Sequence, residues 1–166
     1  MFKKIFFLIQ SKSSFRVILK FVFCKFLRIF SKSKVKNEKK YYKSLLNNLN
    51  ISSDFFVTNV YYFFKHIRNY KNFNYLEIGS YEGCSAIYIA NRFKRSKIFC
   101  VDIWERVKEE YSEGINFDDI EKNFDMNSES YLNISKIKKY SDEFFLSNNL
   151  TFDIIYIDGH HLAEQV

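Results

Sequence analysis

The feature that most constrains this chain is the stretch Asn74 to Asn91, NYLEIGSYEGCSAIYIAN. It opens with Tyr75-Leu76-Glu77-Ile78, a short apolar run that reads as a buried strand. It breaks at Gly79-Ser80-Tyr81-Glu82-Gly83 and resumes with helical spacing, so that Ala86, Ile87, Ile89 and Ala90 can share a face. A strand, a glycine turn and a helix N-terminus in that order make a cradle for a polar small molecule. Gly79 would let a ligand approach the backbone, and Gly83 would let the turn enter the helix tightly. The first amides of the helix are unsatisfied and point at whatever sits there. The loop is neither the G-x-G-x-x-G of a dinucleotide fold nor a phosphate loop ending in Gly-Lys-Ser/Thr. It has an acid, Glu77, two residues before the first glycine, and then G-x-x-x-G. A carboxylate there suits a cationic ligand better than a pyrophosphate.

Charge divides the chain. Residues 1–40 carry a net +11 and the rest −4, within a total of +7 over 166 residues. A basic leader therefore precedes a mildly acidic domain. The leader has no run of about 18 uncharged apolar residues, so it is not a spanning helix, and it has no small-residue cleavage site. From Phe15 to Phe30 the spacing is helical, with Phe15, Ile18, Leu19, Val22, Phe26, Ile29 and Phe30 on one stripe. Arg16, Lys20, Lys25 and Arg28 fall on the other side. Such a helix over residues 1–36 can lie in an anionic membrane surface, or pack its stripe on the domain or on a second copy as a homo-oligomer. Nucleic acid is the less fitting partner, because the interleaved residues are aliphatic as well as aromatic. The expected localisation is cytoplasmic, peripheral at the inner face of the membrane. Cys24, Cys84 and Cys100 show no metal-ligand spacing. Cys84 and Cys100 read as small buried hydrophobes in a reducing compartment.

Lys34 to Lys40 reads as a solvated linker. Two helices are expected next, over about 38–48 and 53–69, with Ser53 or Asp54 capping the second. Phe56, Val60, Phe63, Phe64 and Ile67 would pack that helix on a sheet, and His66 reads as a surface residue. Lys97 to Asp102 reads as a second strand ending in an acid, 19 residues after Gly83. The first acid after the second strand of a Rossmann-like fold is where ribose hydroxyls bind. Ile103 and Trp104 follow directly and could line a base, although Trp104 can equally be core. Residues 105–131 are polar, acidic and partly helical, placed to pass over a pocket mouth. A third strand is expected at 133–137 and a short helix at 141–148, beginning with Ser141. Thr151 to Asp158 is the strongest buried-strand signal, four apolar residues between two acids, followed by Gly159-His160-His161. Asp158 would face the same crevice as Gly79 and Asp102. Asp158 with His161 could bind a divalent cation or take a proton from a substrate hydroxyl. His160 is the weaker candidate. Asp158 is also the sole candidate metal ligand.

With these motifs in register, the chain resembles the class I S-adenosylmethionine (SAM)-dependent methyltransferases, and within them the group labelled methyltransferase family 24. The resemblance covers roughly 74–166. It rests on YLEIGSYEG, VDIWE, FDMN (Phe124 to Asn127), Ser141-Asp142-Glu143-Phe144 and FDIIYIDGHH. The group commonly shows Asp-Gly-Ser-His at the last motif, so His161 aligns with the family histidine and His160 replaces the serine. The resemblance implies an α/β fold: a Rossmann-like parallel sheet of order 3-2-1-4 with flanking helices, preceded by N-terminal helices. It also implies segments at 1–36, 37–72 and 73–166, the last being the SAM-binding domain. Cofactor contacts would come from Glu77 at the methionine ammonium and from Gly79, Ser80, Tyr81 and Gly83 under the methionine moiety. Asp102 would hold the ribose, Ile103 or Trp104 would flank adenine, and Ser141 would reach the base edge. Asp158 and His161 would be catalytic toward a small-molecule or sugar-type acceptor. The family has seven strands and only four are legible here, so the chain reads as a C-terminally truncated version with an open strand edge and marginal stability.

Two rivals stand beside this reading. One is a membrane-associated binding or scaffold protein on a degenerate methyltransferase fold. The other is an NAD-type oxidoreductase, which the missing G-x-G-x-x-G disfavours.

Overall fold

The computed structural model describes residues 14–105 and 117–159, and the chain divides into two compact units, Met1–Lys40 and Tyr41–Val166. The first helix, α1 (Phe15–Leu46), is continuous for 32 residues. The expected linker at 34–40 is therefore helical. No glycine or proline interrupts 15–46, and its Lys, Glu and Leu residues are good helix formers, so nothing local stops propagation. The helix expected over about 38–48 is simply the end of α1. In the first unit Phe15, Val17, Leu19, Val22 and Phe23 are all exposed. Val17 lies round the helix from Phe15 and Leu19, so the apolar surface is broader than the expected stripe. The side chains of residues 24–30 lie outside the described set. No helix among the described residues is long and apolar enough to cross a membrane.

The second unit is built on a sheet of four parallel strands in the order β3-β2-β1-β4. The strands are β1 (Asn74–Ile78), β2 (Lys97–Asp102), β3 (Ile134–Lys138) and β4 (Ile154–Ile157). Among the described residues four helices accompany them: α2 (Val60–Ile67), α3 (Cys84–Arg92), α4 (Phe117–Ser128) and α5 (Ser141–Ser147). This is the expected α/β, Rossmann-like half-sheet in the expected order. Strand alternation sorts the core onto two faces. Tyr75, Ile98 and Cys100 pack with Phe56, Val60, Tyr88 and Ile89 on one side. Leu76, Ile78 and Val101 pack with Phe144 of α5 on the other. Helix α3 is buried from Cys84 through Ala90, because Tyr42 and Phe56 cover Tyr88 with ring centroids at 5.8 Å.

Three local expectations are corrected. Helix α2 starts at Val60, not at residue 53. Asp54 does cap, but it caps a turn: its Oδ1 accepts from the Val57 amide at 3.0 Å and from the Tyr42 hydroxyl at 2.7 Å. The tertiary bond to Tyr42 holds 54–57 out of the helix. Strand β4 is shorter than expected and is not buried. Ile155 and Ile157 are 51% and 62% exposed, since β4 pairs only with β1 among the described residues. An apolar run marks strand character but does not say whether a neighbour covers it. His66 is exposed, as expected. Cys84 and Cys100 are buried free thiols, and burial pushes the Cys84 thiol up to about 12.

Candidate functional site

The register of the sheet sets the site. Ile78 pairs with Val101 on one side and Ile157 on the other. The next residue of each chain segment, Gly79, Asp102 and Asp158, therefore emerges in one row at the carboxyl ends. Gly79 sits at φ +83°, and its amide donates to the Val101 carbonyl at 2.9 Å. A Cβ on Gly79 would lie 2.5 Å from the Asp158 carbonyl oxygen and 2.5 Å from the Gly159 Cα. The chain itself therefore makes one close approach at Gly79, through the Asp158–Gly159 backbone. Gly79→Ala should cost about 2 kcal/mol from the left-handed backbone and the clash, read as a lower urea midpoint with an unchanged m-value. A shift of a few tenths would mean that the β4 end yields freely. Gly83, at φ +85°, caps α3 and packs against the Phe124 ring, as the tight helix entry required.

Glu77 lies one turn of the pleat inside this row and is fully buried. The Tyr75 hydroxyl donates to it at 2.8 Å and the Ser85 hydroxyl at 2.9 Å. No ion pair reaches it among the described residues. Burial raises its pKa to about 7, against the pull of the Tyr75, Ser85 and Ser80 hydroxyls, and the nearby Asp158 adds to the rise. Ser80 is also buried, and its Oγ has no partner in good hydrogen-bond geometry. A cavity of about 350 Å³ opens beside them, lined by Gly79, Ser80, Tyr81, Glu82, Ser85 and Asp158 on the strand side and by Ser53, Phe55 and Phe56 opposite.

Asp102 fixes the loop next to that cavity. One carboxylate oxygen accepts from the Tyr81 amide at 3.0 Å and the other from the Trp104 amide at 3.0 Å. Trp104 is core: it is 2% exposed, its ring stands 4.8 Å from Phe124, and its indole N–H donates to the Tyr81 carbonyl at 2.8 Å. The expectation that it flanks a base is corrected. Its ring is the underside of the loop, held by apolar packing that a lone tryptophan in sequence does not reveal. Ile103 is half-buried beside it. Ser141 begins α5 after the β3 tip. Asp158 is exposed and accepts from the Tyr156 hydroxyl at 2.9 Å. His160 and His161 lie outside the described residues. Among the described residues no cluster of acids, histidines and cysteines could hold a metal ion.

The residue that sequence reasoning passed over is Glu82. It is fully buried and ties three segments together. It accepts from the Ser52 amide at 2.7 Å, from the Ser53 amide at 3.4 Å and from the Asn123 side chain at 2.8 Å. Asn127, in the FDMN motif of α4, donates to the Glu82 carbonyl at 3.0 Å and to the Asn50 carbonyl at 3.0 Å. The Ser52–Phe56 strap that walls the cavity is therefore pinned by one carboxylate and one amide. The available signal was an acid inside a glycine turn at a helix start, but its partners lie 30 and 41 residues away.

Residues 76–166 match the family described as a methyltransferase domain. No curated protein matches. Among solved structures, the chain is similar to a Staphylococcus aureus protein assigned as a caffeoyl-CoA O-methyltransferase, at 18% identity and a TM-score of 0.45. It is also similar to a coclaurine N-methyltransferase bound to N-methylheliamine and SAH, at 11% identity and a TM-score of 0.41. The alignments take in 79% and 74% of this chain but only 57% and 40% of those chains.

Proposed function

This chain belongs to the methyltransferase-domain family, and on that premise we propose that it is a class I SAM-dependent methyltransferase or the cofactor-binding part of one. The observation that carries the reading is the fully buried Glu77 carboxylate, which accepts from the Tyr75 and Ser85 hydroxyls directly behind Ser85 in the wall of a cavity that, among the described residues, no Lys, Arg or His lines. A buried carboxylate in that state is stabilised by a cation brought from outside. The Ser80 hydroxyl, near Glu77 but without a well-formed hydrogen bond, can take a polar ligand atom at the same wall. An amino-acid ammonium with an adjacent sulfonium meets both demands, and a cavity of about 350 Å³ falls in the range of small-molecule sites.

When bound, SAM supplies an electrophilic methyl group on a positively charged sulfur. The chain's own residues bind and orient. Glu77 receives the ammonium, directly or through water. Gly79 to Gly83 form the floor under the methionine part. Asp102 keeps free lone pairs beyond its two backbone bonds and can accept from ribose hydroxyls. Ile103 flanks the base, and Ser141 reaches its edge. Asp158, steadied by Tyr156, orients or deprotonates a small-molecule or sugar-type acceptor, with His161 as its companion. A divalent cation would have Asp158 as its ligand. Positioning and exclusion of water supply most of the rate. The basic helix within residues 1–36 holds the protein at an anionic membrane surface from the cytoplasmic side.

Calorimetric titration of the chain with S-adenosylhomocysteine tests this. The expected result is micromolar binding, weakened at least about tenfold by Asp102→Ala through lost hydrogen bonds. Binding of NADH, with none of S-adenosylhomocysteine, would overturn it.

A further inference from the structure

We infer that the amino-terminal rim of the sheet, opposite the cavity, is a docking surface for an anionic lipid bilayer. The inference is independent of the chemistry at the carboxyl rim. Two stretches of the sequence, 55–76 and 83–101, contain no acid at all and hold seven Lys and Arg between them. The fold brings the ends of these stretches together. The Lys97 amide donates to the Phe73 carbonyl at 3.0 Å, the Phe73 amide donates to the Ser96 hydroxyl at 3.2 Å, and the Phe73 and Phe93 rings meet at 5.1 Å. Lys71, Lys94, Arg95 and Lys97 stand on these two joined loops, all exposed. No ion pair involves these four among the described residues, in contrast to Lys136 and Lys138, which pair with acids of α4.

The ordinary explanation for such residues is partial. Cations just past the end of α3 complement its dipole, which accounts for Lys94 and Arg95 but not for Lys71 or Lys97 at the strand starts. The acids at this end of the sheet are few. Asp153 is engaged with the Asn74 amide at 2.8 Å, and Glu129 follows α4. The acid-rich surface is elsewhere, on α4, with its two first-turn acids. The rim is therefore a patch of one sign on a unit whose overall charge is the other sign.

Two features favour a bilayer over a nucleic acid. Tyr70, 47% exposed, stands on the loop of Lys71 with its ring against Phe73. Tyrosine suits the headgroup level, with an apolar ring and a polar tip. The chain's other basic element, α1, exposes Phe15, Val17, Leu19, Val22 and Phe23 among its cations. Such side chains find a partner in lipid and none in a phosphate backbone. Docking by this rim leaves the carboxyl rim open to solvent and to small molecules.

The test uses the full chain with vesicles of phosphatidylcholine alone and with phosphatidylglycerol added. The quadruple variant Lys71→Gln, Lys94→Gln, Arg95→Gln, Lys97→Gln should lose about 100-fold in partition onto the anionic vesicles, since each cation near such a surface adds to binding. The loss should shrink at high salt. Lys94 and Lys97 should also be protected from acetylation by anionic vesicles, with Lys122 on α4 still reactive. The protection is read on the unaltered chain, so it decides the matter even if the variant is unstable. Unchanged partition of a folded variant, or equal reactivity of Lys94 with and without vesicles, overturns the inference. So does tighter binding of a DNA duplex or an RNA hairpin that the same substitutions abolish.

Discussion

Replacing Glu82 by alanine is expected to destabilise the second unit by about 3 kcal/mol, because it strips one buried, shared acceptor from three part-buried donors that regain water only in part. The carboxylate is fully buried and satisfies the Ser52 and Ser53 amides and the Asn123 side chain. Hydrogen bonds to an ionised acceptor are worth about 1.5–3 kcal/mol each, and a donor left buried and unpaired costs about as much. Water entering at the strap returns part of this, which is why the sum is not larger. Glu82→Gln keeps the shape and one acceptor oxygen, but turns an amide N–H₂ toward a donor. It should cost about half as much. Urea unfolding followed by tryptophan fluorescence reports the loss directly, since Trp104 packs on Phe124 under the same loop. The strap also carries Ser53, Phe55 and Phe56 of the cavity wall, so S-adenosylhomocysteine affinity should fall with stability. A cost below about 1 kcal/mol would mean the strap is held by its aromatic contacts instead, Phe55 on Tyr81 and Phe56 on Tyr88.

That dependence explains what could and could not be read in the sequence. The strand, glycine turn and helix from Asn74 to Arg92 were legible because the signals are local: an apolar run, two glycines at positive φ and helical spacing. The row of Gly79, Asp102 and Asp158 followed, because parallel strands of similar length bring their carboxyl ends to one rim. The strap was illegible because a 54–57 turn and a 54–57 helix start share the same capping residue. What separates them is a tyrosine 12 positions earlier. The linker at 34–40 failed for the converse reason: lysine-rich sequence was read as solvated, although solvated lysines are good helix formers. Trp104 and Asp102 exchange weight for a related reason. The acid that reads as a ligand contact also organises the loop, and the aromatic that reads as a ligand contact is buried beneath it. Composition alone does not tell a wall from a floor.

Glu77 leads to the second large effect, on pH. Its folded-state pKa is raised to about 7, chiefly by burial, while in the unfolded chain it titrates as an ordinary carboxyl. The folded state therefore holds its proton where the unfolded state has released it. Stability from this group is fully present below the unfolded pKa. It is lost as pH rises through about 4.5 to about 7, by about 3 kcal/mol in all. Glu77→Gln mimics the protonated form, and the Tyr75 and Ser85 hydroxyls can turn to suit an amide. The variant should match the natural chain near pH 4.5 and exceed it by about 3 kcal/mol at pH 8. The same substitution should abolish the pH dependence of ligand binding. An ammonium entering beside Glu77 selects the ionised carboxylate, so S-adenosylhomocysteine affinity should rise with pH by up to about tenfold per unit below 7 and then level off. Paired melts of the two proteins from pH 5 to 8, with titrations at the ends of that range, isolate Glu77 because every other titrating group is common to both. Stability curves that run parallel across the range would show that Glu77 ionises in the folded chain as readily as in water. The cavity would then lose its reason to prefer a cation, since a carboxylate already solvated gains little from one.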